Sequence, residues 1–285
     1  AKWVQRVTVT FEPDNGSIET IKKTLDINTA LGGEFPAAPG SPAGKWRFDG
    51  WYTASDTAFT STTTVAADLT VTAKWVEQVG VIYYPEPGSP GEAIDVDKKG
   101  GGGLPDLPPP AGKAFLVWSF APDGHDDYLR PDTELTEGKR LYAIYGTKLT
   151  NTTFREITFD LDDTAAAYLL TEDIYITEAT HPDGWEPVGP SGANNFRGIL
   201  YGGNYAVSLW KIKTADHMGL FGNTRSAYIR DLHVDTDTSA DGTVFAAGVL
   251  AGVLNTVYQS GVRTEAVNVS ASGTLDIKSD TLEVE

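Results

Sequence analysis

Cysteine is absent from all 285 residues, so a disulfide framework, a thiolate zinc site and a cysteine nucleophile are excluded. No stretch approaches the ~18 apolar residues of a membrane span, and no direct membrane insertion is expected of this segment. The start of the chain lacks the basic-then-apolar pattern of a secretion signal, which is therefore expected upstream. Positive charge is scarce as well. With 22 Lys+Arg against 39 Asp+Glu the net charge is -17, which repels phosphate backbones and anionic headgroups and makes nucleic acid a poor partner. Such acidity favours solubility and is compatible with calcium, although most carboxylates of this kind simply form a solvated surface.

Catalytic signatures are also missing. There is no His-Glu-x-x-His helix, no Gly-x-Ser-x-Gly elbow and no P-loop. The run Gly100-Gly101-Gly102-Gly103 is not followed by Lys-Ser/Thr and reads as a flexible loop, not a phosphate cradle. His125, His181, His217 and His233 are widely spaced and share no motif. Calcium is the one cofactor the composition leaves open.

What is present first is repetition. Ala1-Lys2-Trp3-Val4 returns as Ala73-Lys74-Trp75-Val76, and a similar apolar-aromatic end, Tyr142-Ala143-Ile144-Tyr145, follows after the same interval of about 70 residues. Within each period the features keep their order. An alternating strand (Val7 to Phe11; Val79 to Tyr84) leads to turn residues (Pro13-Asp14-Asn15-Gly16; Pro85-Glu86-Pro87-Gly88), where the chain reverses. A Gly/Pro-rich stretch then precedes an aromatic strand, Phe48-Asp49-Gly50-Trp51-Tyr52 in one copy and Phe115-Leu116-Val117-Trp118-Ser119-Phe120 in the other. Leu69 to Trp75 alternates with the period of two expected when one face is buried. Trp3, Trp51, Trp75 and Trp118 sit at repeat positions and are expected to fill cores.

These residues, above all Val9-Thr10-Phe11, Asn15-Gly16, Phe48 to Tyr52 and Asp68 to Trp75, resemble the internalin-B-type repeat, also called the Listeria-Bacteroides repeat. The second copy departs from it at Ser119-Phe120 and at Tyr145. The resemblance implies small β-grasp-like units in secreted or wall-attached bacterial proteins, serving as spacers or adhesion modules.

Beyond Gly146 to Thr153 the chain turns to short apolar bursts separated by Gly, Asn and Asp, among them Tyr168-Leu169-Leu170, Ile174-Tyr175-Ile176, Tyr205 to Leu209, Tyr228 to Val234 and Ala246 to Gly252. Spacings near 20 residues suit a parallel β-helix, with a sandwich as the alternative. The Ala/Gly run at Ala246 to Gly252 would let backbones approach closely. The order Tyr168 to Ile174, Trp185 to Gly189, Phe196 to Tyr205, Gly219 to Gly222 and Ile229 to Leu232, with Gly248-Val249-Leu250-Ala251-Gly252, resembles GLUG-type repeats. Tyr201-Gly202-Gly203-Asn204-Tyr205 departs from that pattern at its turn. This resemblance implies a right-handed parallel β-helix in a bacterial surface protein.

The expected fold is mainly β: residues 1–3 closing a preceding repeat, β-grasp-like copies at 4–77 and 78–147, and a parallel β-helix-like module at 148–285. Trp185, Tyr201, Tyr205 and Trp210 are candidates for contacting a ligand, since Trp and Tyr stack on sugars or anchor proteins. Asp235, Asp237 and Asp241 are candidates for calcium. Two further clusters, Asp160/Asp162/Asp163 and His181/Asp183/Trp185, hold the groups a carbohydrate-active β-helix enzyme would use. The reading preferred here is non-enzymatic: an extracellular, cell-surface or cell-wall adhesion or stalk segment binding a protein or glycan through multivalent contacts. The enzyme and a purely structural spacer are the alternatives.

Overall fold

A computed structural model describes residues 3–157, 166–190, 195–213, 215, 217–241, 246–255 and 264–278. Ala1-Lys2 of the first repeat landmark and the Asp160/Asp162/Asp163 cluster lie outside these residues. The chain is mainly β, and among the described residues helix is confined to single 3-10 turns at Gly32–Glu34 and Phe154–Glu156. It divides into two compact units. The first comprises Ala1–Tyr84, Pro90–Asp106 and Leu129–Arg140; the second comprises Pro85–Ser89, Leu107–Tyr128 and Leu141–Glu285.

In the first unit, β1 (Arg6–Glu12) buries Val7, Val9 and Phe11 and turns Thr8 and Thr10 outward, the two-residue period of a strand with one covered face. It pairs antiparallel with β2 (Ile21–Asp26). Between them Asn15 Oδ1 accepts from the Ser17 amide at 3.0 Å and Gly16 adopts φ +85°. The connection is wider than a two-residue hairpin. Next come β3 (Trp46–Thr53), β4 (Ala58–Phe59) and the long β5 (Leu69–Tyr84), which runs unbroken through residues 77 and 78. β5 lies parallel to β1 and antiparallel to β3. Phe11 is the centre of the core, with ring centroids 4.9 Å from Trp51, 5.8 Å from Phe35 and 5.9 Å from Phe59. Burying each such ring contributes about 1.5–3 kcal/mol.

β6 (Glu92–Asp97) folds back antiparallel on β5 and ends at Asp97, which is held by Arg47 Nε at 3.0 Å and Nη2 at 2.8 Å. The Gly100 to Gly103 run is a tight turn around that carboxylate. Gly101 donates to the Asp97 carbonyl, and a Cβ on Gly102 would come 2.4 Å from Asp97 Oδ2. A side chain at Gly102 would have to displace the carboxylate that Arg47 holds in place. Backbone bonds from Gly100 to the Thr133 carbonyl and from Gly101 to the Asp97 carbonyl hold the loop in this turn.

The second unit opens with β7 (Ala114–Ser119) antiparallel to β8 (Lys139–Leu149). Its pairing reproduces a detail of the first unit. The register slips between Phe115 and Val117 as it does between Phe48 and Gly50, with Phe115 opposite Tyr145 as Phe48 is opposite Trp75. Tyr145 donates its hydroxyl to the Pro85 carbonyl at 2.8 Å, and Trp75 donates its indole N–H to the Pro13 carbonyl at 2.9 Å.

From there on the strands are parallel and, apart from β15 and β18 with 14 residues each, short: β9 (Ala167–Leu170), β10 (Ile174–Ile176), β11 (Ile199–Tyr201), β12 (Ala206–Leu209), β13 (His217–Met218), β14 (Phe221–Arg225), β15 (Tyr228–Asp241), β16 (Ala246–Ala247), β17 (Ala251–Asn255) and β18 (Glu265–Lys278). Most join a large, mostly parallel sheet. Ala167 pairs with Ile199, Ile199 with Tyr228 and Tyr228 with Glu265; Ile174 pairs with Val207, Val207 with Val234 and Val234 with Ala271. Successive partners are about 30 residues apart, a longer period than the expected 20 or so. The interval is longer because several bursts lie between paired strands: Tyr168, Ile174, Trp185 and Phe196 all precede Ile199, each on a different ladder.

Inside, Leu149, Leu170, Ile174, Leu200, Val207, Leu209, Phe221, Ile229 and Val234 form one core. The bend between the two halves of β15 falls at Asp231, which has φ +53° and accepts a 2.7 Å bond from Asn268, itself at φ +52°. Asn and Asp tolerate this left-handed geometry better than other non-glycine residues. At Ala246 to Gly252 the expected close approach is present, since a Cβ on Gly219 would come 2.5 Å from the Gly248 oxygen.

Candidate functional site

The proposed contact residues separate into two groups. Trp185 is buried, donates its indole N–H to the Leu220 carbonyl at 2.9 Å and lies 5.0 Å from the Phe154 ring. Tyr201 is wholly buried, with its hydroxyl on the Gly124 carbonyl at 2.8 Å, and burial pushes its ionisation well above the usual range of a phenol. Neither ring faces solvent; both are core. Tyr205 is 37 % exposed, and Trp210 is half-buried with its N–H on the His181 carbonyl at 2.9 Å. The sequence missed Tyr175, which at 55 % exposure is among the most open large rings. It stands between inward Ile174 and Ile176, so the alternation alone could have placed it outside.

Of the three candidate calcium ligands, the side chains of Asp235 and Asp237 are described. Asp235 and Asp237 share the outer face of β15, whereas Asp241 lies four residues farther along the same strand, about 13 Å at 3.3 Å per residue. Nothing is described of the Asp241 side chain. Asp235 accepts from Ser208 Oγ at 2.8 Å. Among the described residues no group of three or more His, Asp or Glu side chains is arranged to hold a metal.

What the parallel register builds instead is an outward row across four strands: Tyr175, Ser208, Asp235 and Ser272 are successive partners. Beside it His233 bridges Ser270 Oγ, at 2.7 Å from Nδ1, and Ser272 Oγ, at 3.1 Å from Nε2. Adjacent strands are about 4.8 Å apart, so these groups form a regular array of donors and acceptors with an aromatic ring at one end.

A second feature is a cleft of about 410 Å³, lined by Arg155, His181, Asp183, Trp185, Glu186 and Lys213 together with Ile157, Val188 and three prolines. It gathers the His181/Asp183/Trp185 cluster and adds two cations the sequence did not single out. Arg155 comes from the 3-10 turn at Phe154–Glu156. His181 follows a Thr177–Thr180 turn, its amide donating to the Thr177 carbonyl at 2.8 Å. Trp185 and Lys213 are locked by backbone bonds: the Trp185 amide donates to Lys211, and the Lys213 amide to Trp185, both at 2.8 Å. This brings Lys213 to 3.6 Å from Glu186.

His181 anchors the cation. Arg155 donates from Nε to His181 Nε2 at 3.0 Å and from Nη2 to the Thr180 carbonyl at 2.9 Å. A ring nitrogen that accepts from a guanidinium is unprotonated, and the opposite nitrogen then donates to Thr180 Oγ1 at 3.0 Å. Partial burial, followed by the Arg155 charge, lowers the His181 pKa from its ordinary value, in agreement with that tautomer. Asp183 is exposed and has no partner among the described residues.

Among the described residues no helix is long and apolar enough to cross a membrane. Comparison with protein-family models, with curated proteins and with solved structures returns no match.

Proposed function

We propose that this chain is a non-enzymatic adhesion or stalk segment of a bacterial surface protein, in which two internalin-B-type β-grasp-like copies precede a right-handed parallel β-helix of GLUG type. The twice-used register slip and aromatic-to-proline clamp support the repeat reading. Parallel partners recurring at a near-constant interval support the solenoid reading. The observation that carries the function is the outward row Tyr175, Ser208, Asp235 and Ser272 with His233 beside it. Side chains repeated at strand spacing favour many weak contacts with an extended protein or glycan over one tight pocket.

The test is an array of glycans and matrix proteins probed with the intact chain and with Tyr175→Ala and Asp235→Asn. Specific binding that falls in both variants supports an adhesive outer face. Absence of any binding by the unaltered chain would leave the spacer reading in its place. A carbohydrate-active enzyme is the second reading, favoured by the cleft that holds His181, Asp183 and Glu186 together. Release of new reducing ends from a polysaccharide would select it.

A further inference from the structure

The cleft around Trp185 lies apart from the outward row and has its own chemistry. We infer that it is a binding site for a short stretch of an uncharged saccharide, with Arg155 and Asp183 as the residues that hold its hydroxyls. This goes beyond the adhesive reading, because the outer face could be inert and the cleft still bind.

The volume of about 410 Å³ falls within the roughly 300–1,000 Å³ of small-molecule sites. Its charges balance: Arg155 and Lys213 oppose Asp183 and Glu186. An acidic glycan would meet two carboxylates there and a net charge of -17 on the chain, so charge complementarity favours a neutral ligand. Sugar hydroxyls both donate and accept. Arg155 offers fixed donors, its Nη1 having no partner among the described residues, and Asp183 offers an open acceptor. Ile157, Val188 and the prolines supply apolar wall for the C–H faces of a pyranose.

The site is also preorganised. The guanidinium fork is already pinned by the neutral His181 ring and the Thr180 carbonyl, so little of the Arg155 side-chain freedom remains to be lost on binding. His181 is thus a positioning residue. It sets the direction of Arg155 and needs no contact with the sugar.

The experiment uses the full chain on an array of neutral and uronate-containing oligosaccharides, followed by titration calorimetry with the best neutral binder. Arg155→Ala and Asp183→Ala should each weaken binding by about ten-fold or more, with Arg155→Lys intermediate because it keeps the charge and loses the fork. Asp183 is exposed, so its variant tests the site even if Arg155→Ala disturbs the turn; unchanged far-ultraviolet circular dichroism confirms folding. Neutral-sugar binding that survives both alanine variants would overturn the cleft assignment, and if it disappears in Tyr175→Ala the outer-face reading stands alone. Preference for uronates would overturn the uncharged class. No saccharide binding at all would overturn the inference, while matrix-protein binding on the outer face would keep the adhesive reading intact.

Discussion

In the first unit the buried mass gathers at a point, with Phe11 in edge contact with Trp51, Phe35 and Phe59 and the strands drawn around it. In the second it is strung along parallel ladders, where Ile174 pairs with Val207 and Val207 with Val234, all within one extended core. The two arrangements distribute stability differently. A central aromatic knot makes every strand depend on one ring. Strands that pair one to the next are expected to share stability between neighbours, so that a local loss stays local.

The largest effect that separates them is Phe11→Ala, expected to cost about 3–5 kcal/mol and to loosen β1, β3 and β5 together. Hydrogen exchange read separately in the two units checks it, and equal loosening of β10, β12 and β15 would break the comparison. Next is Asn268→Ala, which removes the 2.7 Å bond to buried Asp231 and leaves alanine in a left-handed conformation. The combined loss is about 2 kcal/mol, confined to the rungs of β15 and β18. Exchange spreading evenly through the second unit would show that its rungs are not independent. A smaller effect is expected for Tyr145→Phe, which leaves the Pro85 carbonyl without its clamp and costs about 0.5–1.5 kcal/mol by denaturant titration.

The difference between the units also explains what could be read in the sequence. Strands β1 and β5 were legible because Val7 to Phe11 and Leu69 to Trp75 carry their own alternation. The mainly β character followed from the same local signals. The pairing interval was not legible, because the partner of Ile199 is Tyr228 and nothing near Ile199 encodes that distance. Trp185 and Tyr201 were candidates for ligand contact, with core packing the favoured reading of Trp185, and each spends its polar atom on a buried carbonyl, of Leu220 and Gly124, contributed by chain far away. The cleft was half visible. His181, Asp183 and Trp185 are close in sequence, while Arg155 arrives from 26 residues before His181 and Lys213 from beside the parallel Trp185–Ile212 bridge.

The smallest predicted effects are two acid-sensitive points, one in each unit, that should respond in separate pH ranges. In the second unit the His181 pKa is lowered from 6.5, first by burial and then by the charge of Arg155. A lowered histidine pKa means that the unfolded chain takes up the proton first, so the contribution is complete above 6.5 and declines as pH falls below it towards the folded-state value. The groups that share the cleft with this ring are Arg155, Asp183, Glu186 and Lys213, and protonation would set an imidazolium against the Arg155 fork. In the first unit the Asp97 pKa is lowered from 3.8, chiefly by its hydrogen bonds from Arg47, with burial opposing. Its contribution is complete above 3.8 and is lost only as pH falls through the lower folded value. On acidification, exchange protection should therefore relax around Arg155 and His181 while the Arg47–Asp97 region stays closed, and His181→Gln should remove the earlier step alone. Simultaneous loosening of both regions near pH 6 would mean that the two units do not respond to acid through these local pairs.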